Sequence, residues 1–402
     1  MTLRQNNIFI KIHSNQWILS GLLLIISLLI SIQNISLGVN NFWGGQYTHY
    51  NNFLIFKNSF SHLLGNKNLY EFYFDEYADL YKYSPTFALI MGTFYYLPSS
   101  LGLFLWNSLN IFVLYFAIFS LKSIDPSRKS ILVFFLLFEL ILSTQNSQSN
   151  ALLAGLTIIA FNLFERGKNT QATFFIALGT FIKLYSIVGC LLLLLYPDKI
   201  KSTVSSLVWM LLFFLLPLIL IDFHSLIWQY KNWYIQLKID QSESIGMSAY
   251  KFTQLVLPMN YFKLTTILFG VFVLLTPLLK FKAFISERFR LHFLILILIW
   301  IVVFNYKAES PTYIIAMTGI GIWFFDSLKS KLNLLLFLLT FFFTSIWFTD
   351  IIPSSIKNNF IDLKFIKPFF PILVLLKVYF ELILMRIDRK TEAQNQDVAH
   401  NV

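Results

Sequence analysis

Four carboxylates lie close together in one polar and aromatic interval of the chain, residues 40–85. The charged side chains of this interval are Glu71, Asp75, Glu76 and Asp79 with Lys57, Lys67 and Lys82. A carboxylate can accept the proton of an attacking hydroxyl, and a cation can stabilise the negative charge of a departing phosphate. Together with the surrounding Tyr, Phe and Trp, these residue types favour transfer of a group from a lipid-linked donor. The alternative is a solvated loop whose aromatic side chains lie at headgroup level.

A second candidate for chemistry is Lys183, which interrupts an apolar stretch over residues 172–196. An ammonium group inside an apolar stretch costs a few kcal/mol unless it lines a polar cavity or contacts an anion. Lys183 is therefore a functional candidate, and the alternative is a side chain that reaches the interface from a helix end. Glu139 also lies within an apolar run, where its carboxyl is either protonated or bonded to a neighbouring helix.

The sequence lacks the short motifs that are typical of hydrolytic, redox and nucleotide-phosphate chemistry. It contains no GxSxG, HExxH, P-loop or GxGxxG pattern. The His residues are dispersed singly, and the one cysteine, Cys190, gives neither a disulfide framework nor a cysteine metal site. We therefore expect no bound metal and no cofactor.

Composition indicates a polytopic membrane protein. Of the 402 residues, 57% are hydrophobic and only 13% are charged, whereas about 25% charged residues are usual in a soluble domain. The net charge of +11 does not indicate nucleic-acid binding, because the Lys and Arg residues lie between apolar runs, where they set membrane orientation. The first run, residues 17–32, is too long for a typical signal sequence and is predicted to be an uncleaved transmembrane helix.

Positive charge collects in links that can all lie on one side of the membrane, and by the positive-inside rule that side is cytoplasmic. The basic positions are Arg4, Lys11, Lys122, Arg128, Lys129, Arg166, Lys168, Lys199, Lys201, residues 280–290, Lys329, Lys331 and residues 386–390. The chain then crosses about twelve times, provided that residues 172–196 form two short helices and residues 86–97 do not cross fully. Three lysines do not fit this topology, because it places them on the outer side: Lys357, Lys364 and Lys367.

This topology predicts one integral membrane domain, residues 1–385, followed by a polar cytoplasmic tail, residues 386–402. Two long outer loops, residues 40–85 and 222–261, lie on the outer face together with Gln145–Asn150, Lys183 and Glu309. Both termini are then cytoplasmic, and the membrane is the plasma membrane, which we take to be a bacterial inner membrane.

The order of several segments resembles that of a known family. These segments read NNFLIFKNSFSHLLGNKNLY, KYSPTFALIMGTFYYLPSSLGLFLWNSLN, QSNALLAGLTIIAFNLFERGK, ATFFIALGTFIKLYSIV and NYKAESPTYIIAMTGIGIW. They look like the integral-membrane glycosyltransferases of family 87, a group of the GT-C superfamily that includes mannosyltransferases dependent on polyprenyl-phosphate-mannose. The similarity covers roughly residues 40–325, and it implies an all-α, GT-C-like bundle of transmembrane helices with a long first outer loop.

The resemblance also implies an outer active site, a polyprenyl-phosphate-sugar donor and a catalytic Asp early in the first loop. Gln148, Asn150 and Lys183 match the family pattern, and we carry them over as substrate-binding residues. At the position of the catalytic Asp, however, this chain has Asn52, and an amide cannot accept a proton as a carboxylate does. Either the base has moved within the first loop, or the activity is different or lost.

The candidates for a displaced base are Asp75, Glu76 and Asp79. Asp79 is favoured because it is nearest to the Lys-Tyr-Ser-Pro segment that returns to the membrane, where burial would raise its pKa. Lys82 opposes that shift, and the alternative is a surface ion pair between Asp79 and Lys82. Asn52, Lys82 and Glu309 complete the predicted substrate-binding set.

The sequence therefore favours a membrane hexosyltransferase that moves a mannose-like sugar from a polyprenyl-phosphate donor to an envelope glycan or lipid. The first alternative is a transporter or flippase for a lipid-linked saccharide, which would use the same cavity without a base. A structural subunit of an envelope assembly is a third. The lipid bilayer is a partner in all three hypotheses, and nucleic acid is a partner in none.

Overall fold

Helices dominate the structure, because in a bilayer the backbone must satisfy its own hydrogen bonds. The computed structural model describes residues 16–42, 44–242, 244–258, 261–326, 330–358 and 363–385. Its longer helices are Gln16–Ser36, Asn51–Leu64, Ser99–Ser120, Pro126–Gln145, Asn150–Glu165, Asn169–Ile182, Lys199–Leu215, Phe223–Ser242, Phe262–Leu275, Glu287–Val303, Tyr313–Asp326, Lys331–Thr340 and Leu363–Leu384. Shorter ones are Pro85–Ile90, Gly92–Tyr95, Ala249–Val256 and Ser354–Asn358. Within this part of the chain, the strands are Val39–Phe42 and Gly45–Thr48, paired as an antiparallel hairpin.

Four of the described helices are long and apolar enough to cross a membrane. They are Gln16–Ser36, Ser99–Ser120, Lys199–Ile219 and Phe262–Leu279. These helices confirm the predicted class, an all-α protein that crosses the membrane several times. The count of about twelve crossings stays a prediction, because other apolar helices, such as Asn150–Glu165, are shorter than a full span.

The apolar stretch around Lys183 is divided at that residue. The helix Asn169–Ile182 ends there, Lys183 has an extended backbone, and a 3-10 segment, Leu184–Leu195, follows. This confirms the interpretation as two short helices that meet at the lysine. Residues 86–97 form the two short helices Pro85–Ile90 and Gly92–Tyr95. Together these helices rise only about 16 Å against a hydrocarbon core of about 30 Å, so they are too short to span it by themselves.

The core of the bundle lies along Glu287–Val303 and Tyr313–Asp326, whose side chains are buried almost throughout. Around it, the helix Asn150–Glu165 packs closely on Ser99–Ser120. A Cβ atom at Gly155 would approach the backbone N of Leu114 to 2.9 Å, so a glycine is needed for this close crossing.

Hydrogen bonds between elements show which parts of the chain lie at each end of the bundle. At one end Arg290 binds Glu165 with an N–O distance of 2.6 Å, and Lys280 donates to the carbonyl of Met385. At the opposite end Asn34 donates to the carbonyl of Gln145. Of the basic links that the sequence assigns to the cytoplasm, those within the described residues, such as the links with Lys168, Lys201 and Lys280, lie at the first end. We call the opposite end, which carries Gln145, the loop end.

Three of the predicted features fall on parts of the chain that the structure does not describe. Residues 1–15, Lys329 and the tail 386–402 lie outside the described residues. Lys367, which disagreed with the charge rule, lies in the helix Leu363–Leu384 and is fully buried. Its Nζ donates to Oε1 of Glu139 at 2.9 Å, so the carboxyl of Glu139 is bonded to a neighbouring helix, one of the two states expected for it.

Candidate functional site

A tight turn at the loop end positions Gln148 and Asn150. The helix Pro126–Gln145 ends in a segment rich in Asn and Ser, residue types that favour turns. Ser147 has a positive φ of 50°, and its N–H donates to the carbonyl of Thr144 at 2.8 Å. Asn150 then begins the next helix, Asn150–Glu165. The turn brings the two amide side chains to the same end as the backbone break at Lys183.

Lys183 is held by these two neutral amides. Its Nζ donates to Oδ1 of Asn150 at 2.8 Å and to Oε1 of Gln148 at 3.1 Å. Asn150 in turn donates from Nδ2 to Oε1 of Gln148 at 2.8 Å. The rings of Tyr83 and Tyr185 flank the ammonium group at 5.7 and 5.9 Å from their centroids. The structure therefore brings together all three residues carried over from the family pattern.

Glu309 is connected to Lys183 and Asn150 through Gln148, whose side-chain amide nitrogen it binds. Nε2 of Gln148 donates to Oε2 of Glu309 at 2.8 Å. Glu309 is exposed and precedes a short 3-10 turn, Ser310–Thr312. Its backbone N–H donates to the Thr312 hydroxyl at 3.3 Å, which fixes the start of the following helix. An exposed carboxylate is thus connected to the buried amides around Lys183.

Asp79 is positioned by the hairpin. The loop 74–78 pairs with the strand Gly45–Thr48, where Gln46 exchanges backbone hydrogen bonds with Phe74 and Ala78 at 3.1 and 2.9 Å. A Cβ atom at Gly45 would lie 2.9 Å from the carbonyl oxygen of Phe74, so only glycine allows this pairing. The Leu80 N–H then donates to Oδ1 of Asp79 at 2.7 Å.

The electrostatic surroundings of Asp79 combine opposing effects. Burial raises its pKa above the ordinary value, and the charges of Glu309 and Asp240 act in the same direction. The Leu80 N–H and the Lys82 ammonium favour the charged form and oppose the shift. The net effect is a raised pKa. Glu309, the carboxylate that accepts from Gln148, is thus one of the charges that act on Asp79.

Lys82 pairs with a residue that the sequence did not single out. Its Nζ lies 2.7 Å from Oδ1 of Asp240, on the helix Phe223–Ser242, and Lys307 lies 3.9 Å from the same oxygen. This finding favours Asp240, rather than Asp79, as the ion-pair partner of Lys82. Asp240 belongs to the second long polar interval, which was the only sequence signal for it. Tyr83 and Tyr185 were also missed, although each lies within two residues of a predicted site residue.

The other two candidates for the base lie elsewhere on the loop. Glu76 accepts hydrogen bonds from Asn58 at 2.9 Å and from His62, whose Nε2 lies 3.0 Å from Oε1. Burial lowers the pKa of His62, and Glu76 opposes that shift. These contacts tie Glu76 to the helix Asn51–Leu64. Asp75 is exposed. Of these candidates, Asp79 is the one whose pKa is raised by the charge of Glu309, whereas the hydrogen bonds of Glu76 connect it to Asn58 and His62.

Asn52 lies at the loop end, where its contacts do not include the side chains around Lys183. Its Nδ2 donates to the carbonyl of Asn146 at 2.9 Å, and it lines a cavity of about 330 Å³ together with Tyr47. Burial raises the pKa of Tyr47, and the charges of Asp79 and Glu309 raise it further. Tyr47 therefore shares a cavity with Asn52, the predicted position of the family Asp, and is subject to the charges of Asp79 and Glu309.

No group of three or more His, Cys, Asp or Glu side chains that could hold a metal ion occurs among the residues that the structure describes. A comparison with curated proteins finds no significant match. Residues 81–323 match the model of glycosyltransferase family 87. This range includes Gln148, Asn150, Lys183 and Glu309 and begins just after Asp79. Since the match covers more than half of the 402 residues, the chain belongs to glycosyltransferase family 87.

Proposed function

We propose that this membrane glycosyltransferase moves one mannose-like hexose from a polyprenyl-phosphate donor to an envelope glycan or lipid. Family membership supports the transferase class, and the apolar helices support a membrane setting. The donor, the sugar, the acceptor and the outer-face location are our proposal. It depends mainly on one observation, the way in which the ammonium group of Lys183 is held.

Lys183 carries a positive charge that its direct partners do not neutralise. Its hydrogen-bond partners are amide oxygens, and among the described residues no carboxylate lies within 4.0 Å of its Nζ. A charge-assisted hydrogen bond to a phosphate oxygen would stabilise the negative charge left when the sugar departs. Because the lysine interrupts an apolar stretch, the phosphate that it binds is best supplied by a lipid whose chain remains in the bilayer.

Asp79 supplies the base in this proposal. A hydroxyl oxygen of the acceptor attacks the anomeric carbon of the donor sugar, and its proton passes to the carboxylate of Asp79. The bond between the anomeric carbon and the phosphate oxygen breaks, and polyprenyl phosphate leaves with both bonding electrons. Lys183 stabilises that anion. The raised pKa of Asp79 makes its carboxylate a stronger base than an ordinary aspartate.

The outer-face location is supported by the distribution of charge. Basic links such as those with Lys168 and Lys201 lie at the end opposite to Lys183, and basic links are retained on the cytoplasmic side. The proposed site then lies on the outer face of the plasma membrane, and both chain termini lie in the cytoplasm. Lipid-linked donors suit such a site because the outer face has no supply of nucleotide sugars.

A transfer assay with purified protein tests this function. Polyprenyl phosphates carrying radiolabelled mannose, glucose, galactose or N-acetylglucosamine are incubated with a lipid or glycan fraction of the envelope, and GDP-mannose serves as the control donor. We expect label to reach the acceptor from the polyprenyl-phosphate-mannose donor and not from GDP-mannose. Movement of the intact labelled lipid across proteoliposome membranes without transfer of sugar would contradict the proposal and support the transporter alternative.

A further inference from the structure

The helix Phe223–Ser242, in the second long polar interval, has no part in the mechanism above. It has 20 residues, but it is not one of the four described helices that are long and apolar enough to cross a membrane. It follows one of those four, Lys199–Ile219, whose basic start with Lys201 lies at the end of the bundle opposite to the loop end. The helix Phe223–Ser242 therefore begins at the membrane surface of the loop end.

One face of this helix is held against the first long polar interval. Gln229 is fully buried, and its Nε2 donates to the Lys67 carbonyl at 2.6 Å. Further along the helix, Trp233 donates from Nε1 to the Lys82 carbonyl at 3.1 Å, and Asp240 pairs with the Lys82 ammonium group. These contacts extend over about 16 Å of the helix. The helix therefore lies along the first interval at the loop end instead of entering the bundle.

The opposite face of the helix is exposed and largely apolar. Exposed side chains recur every three or four positions, which places them on one face. The apolar ones among them are Phe223, Ile227, Trp228, Tyr234, Ile235 and Ile239. The buried side chains, in contrast, include the polar residues Ser225, Gln229 and Gln236. A helix between a protein core and water has the reverse pattern, so the exposed face of this helix suits an apolar medium and not water.

Two exposed lysines lie on the same face as these apolar side chains. They are Lys231 and Lys238, and the Nζ of Lys238 lies 4.5 Å from the centroid of the Tyr234 ring. No Asp or Glu occurs between Phe223 and Ile239. Apolar and aromatic side chains interleaved with lysines are typical of a helix that lies in the interface of a membrane, with its aromatic rings at headgroup level.

The charge of this face favours lipid over a second copy of the chain. In a two-fold symmetric dimer the same face meets itself, so the two lysines of one copy would face the two lysines of the other. Phospholipid, in contrast, offers both acyl chains for the apolar side chains and phosphate oxygens for the ammonium groups.

We propose that the exposed face of the helix Phe223–Ser242 binds the phospholipid surface of the leaflet at the loop end, and that Lys231 and Lys238 contact phosphate groups of anionic phospholipid there. The helix is then held between the bilayer on one face and the first polar interval, with Lys82, on the other. This surface is separate from the proposed donor site at Lys183. The inference depends on neither the sugar, the donor nor the acceptor of the proposed function.

Fluorescence quenching in vesicles tests the contact with lipid. The full-length protein, with Cys190 replaced by Ser, carries the fluorophore NBD on one cysteine, introduced as Ile235→Cys on the exposed face. The matched control is Asn41→Cys, at an exposed polar residue of the hairpin. The vesicles contain phosphatidylcholine and phosphatidylglycerol. One quencher is iodide, present in the water on both sides, and the other is phosphatidylcholine with a nitroxide near the top of its acyl chain.

We expect the nitroxide lipid to quench the label at least about threefold more in Ile235→Cys than in Asn41→Cys, because an interfacial helix buries its apolar face by about 5–10 Å. Iodide should quench the label in Asn41→Cys more than that in Ile235→Cys. Equal quenching of the two by iodide would show that the face lies in water and would overturn the proposal. Protection of Ile235→Cys from both quenchers would show that a protein surface, such as a second copy, covers the face, and would also overturn it.

The kind of lipid is tested with tracer amounts of nitroxide lipid in phosphatidylcholine vesicles at low salt. We expect nitroxide-phosphatidylglycerol to quench the label in Ile235→Cys at least about twofold more than nitroxide-phosphatidylcholine, because lysines at a lipid surface attract anionic headgroups. Lys231→Gln with Lys238→Gln should abolish this difference. Lys168→Gln with Lys201→Gln is the matched control, because these lysines are exposed at the opposite end, and it should preserve the difference. Equal quenching of the parent by both lipids, or a difference that survives Lys231→Gln with Lys238→Gln, would overturn the contact with anionic lipid.

The two sets of measurements separate this inference from the proposed function, because quenching requires no transfer of sugar. The expected quenching in a protein that transfers sugar from none of the donors would support the lipid contact and contradict the function. Water-like quenching of Ile235→Cys in a protein that transfers sugar would contradict the lipid contact and leave the function standing.

Discussion

Gln148 donates a hydrogen bond from Nε2 to Oε2 of Glu309 at 2.8 Å across 161 positions of the chain. The carbonyl oxygen of the same amide accepts from Lys183. One neutral side chain therefore separates the cation from the carboxylate. Because the ammonium group and the carboxylate are not in direct contact, the proposed function can use them separately, with the donor phosphate at Lys183 and the sugar near Glu309.

Lys183→Gln should weaken donor binding without preventing insertion. Replacing the ammonium by an amide removes a charge-assisted hydrogen bond to the phosphate, so we expect the donor KM to rise at least about tenfold. Lys57→Gln is the matched control, since Lys57 donates to the Leu97 carbonyl and the Ser99 hydroxyl, outside the amide network. Direct measurement of donor binding checks the prediction. Equal donor affinity of the parent and Lys183→Gln would contradict the phosphate role.

Lys82→Gln should move the pH profile of transfer. The positive charge of Lys82 favours the ionised form of Asp79 and therefore lowers its pKa. Without that charge, and with Asp240 paired to Lys307 alone, the pKa of Asp79 rises further. A base acts only when deprotonated, so the acidic limb of the kcat/KM profile should shift to higher pH. An unchanged limb, or a shift to lower pH, would show that Asp79 does not govern the profile.

The buried pair of Lys367 and Glu139 should be a major determinant of stability. The Nζ of Lys367 lies 2.9 Å from Glu139 and 2.8 Å from the Ser310 hydroxyl, and both charged side chains are fully buried. Lys367→Met leaves a buried carboxylate unpaired, which costs about 3–5 kcal/mol. Removing both charges, with Glu139→Leu added, should restore most of that loss.

Denaturant or thermal unfolding of the purified protein measures this effect. Lys377→Met is the control, because Lys377 lies on the same helix in a half-exposed pair with Glu381. Its loss should cost only about 0.5 kcal/mol. If Lys367→Met were as stable as Lys377→Met, the proposed contribution of the buried pair would be excluded.

The sequence predicted the features that depend on short, local stretches of the chain. Apolar run length predicted the membrane class, and a lysine within such a run predicted the break at Lys183. The match of Gln148 and Asn150 to the family pattern placed them with that lysine. The structure brings these three side chains into hydrogen-bond contact.

The features that the sequence did not predict depend on long-range contacts. The hairpin Val39–Thr48 was missed because its strands are short and polar, although it positions Asp79. The pairing of Lys82 with Asp240 joins the two long polar intervals, and that of Lys367 with Glu139 joins two distant helices. Neither spacing nor composition specifies such partners. The charge rule disagreed at Lys367 because it counts a lysine as solvated, whereas this one is buried in an ion pair.

Membrane orientation can be tested with single cysteines in a background where Cys190 is replaced by Ser. By the positive-inside rule, cysteines at Asp79 and Glu309 should react with an impermeant maleimide added to intact cells. Cysteines at Lys168 and Lys201, both exposed at the opposite end, should react only after the cells are opened. Labelling of the cysteines at Lys168 and Lys201 in intact cells would show that the orientation is the opposite of the one proposed.

Turnover of Asp79→Asn tests the assignment of the base most directly. The substitution keeps size and polarity but removes the proton acceptor, so turnover should fall about a hundredfold or more while donor affinity is retained. The variant should unfold at the same or a higher temperature, because the pKa of Asp79 is raised in the folded protein and its ionised form opposes folding above that pKa. Asp75→Asn and Glu76→Gln, assayed on the same donor, should keep turnover near that of the parent. Parent-like turnover in Asp79→Asn would contradict the assignment of Asp79 as the base. This holds whether turnover collapses in Asp75→Asn or Glu76→Gln or in neither of them.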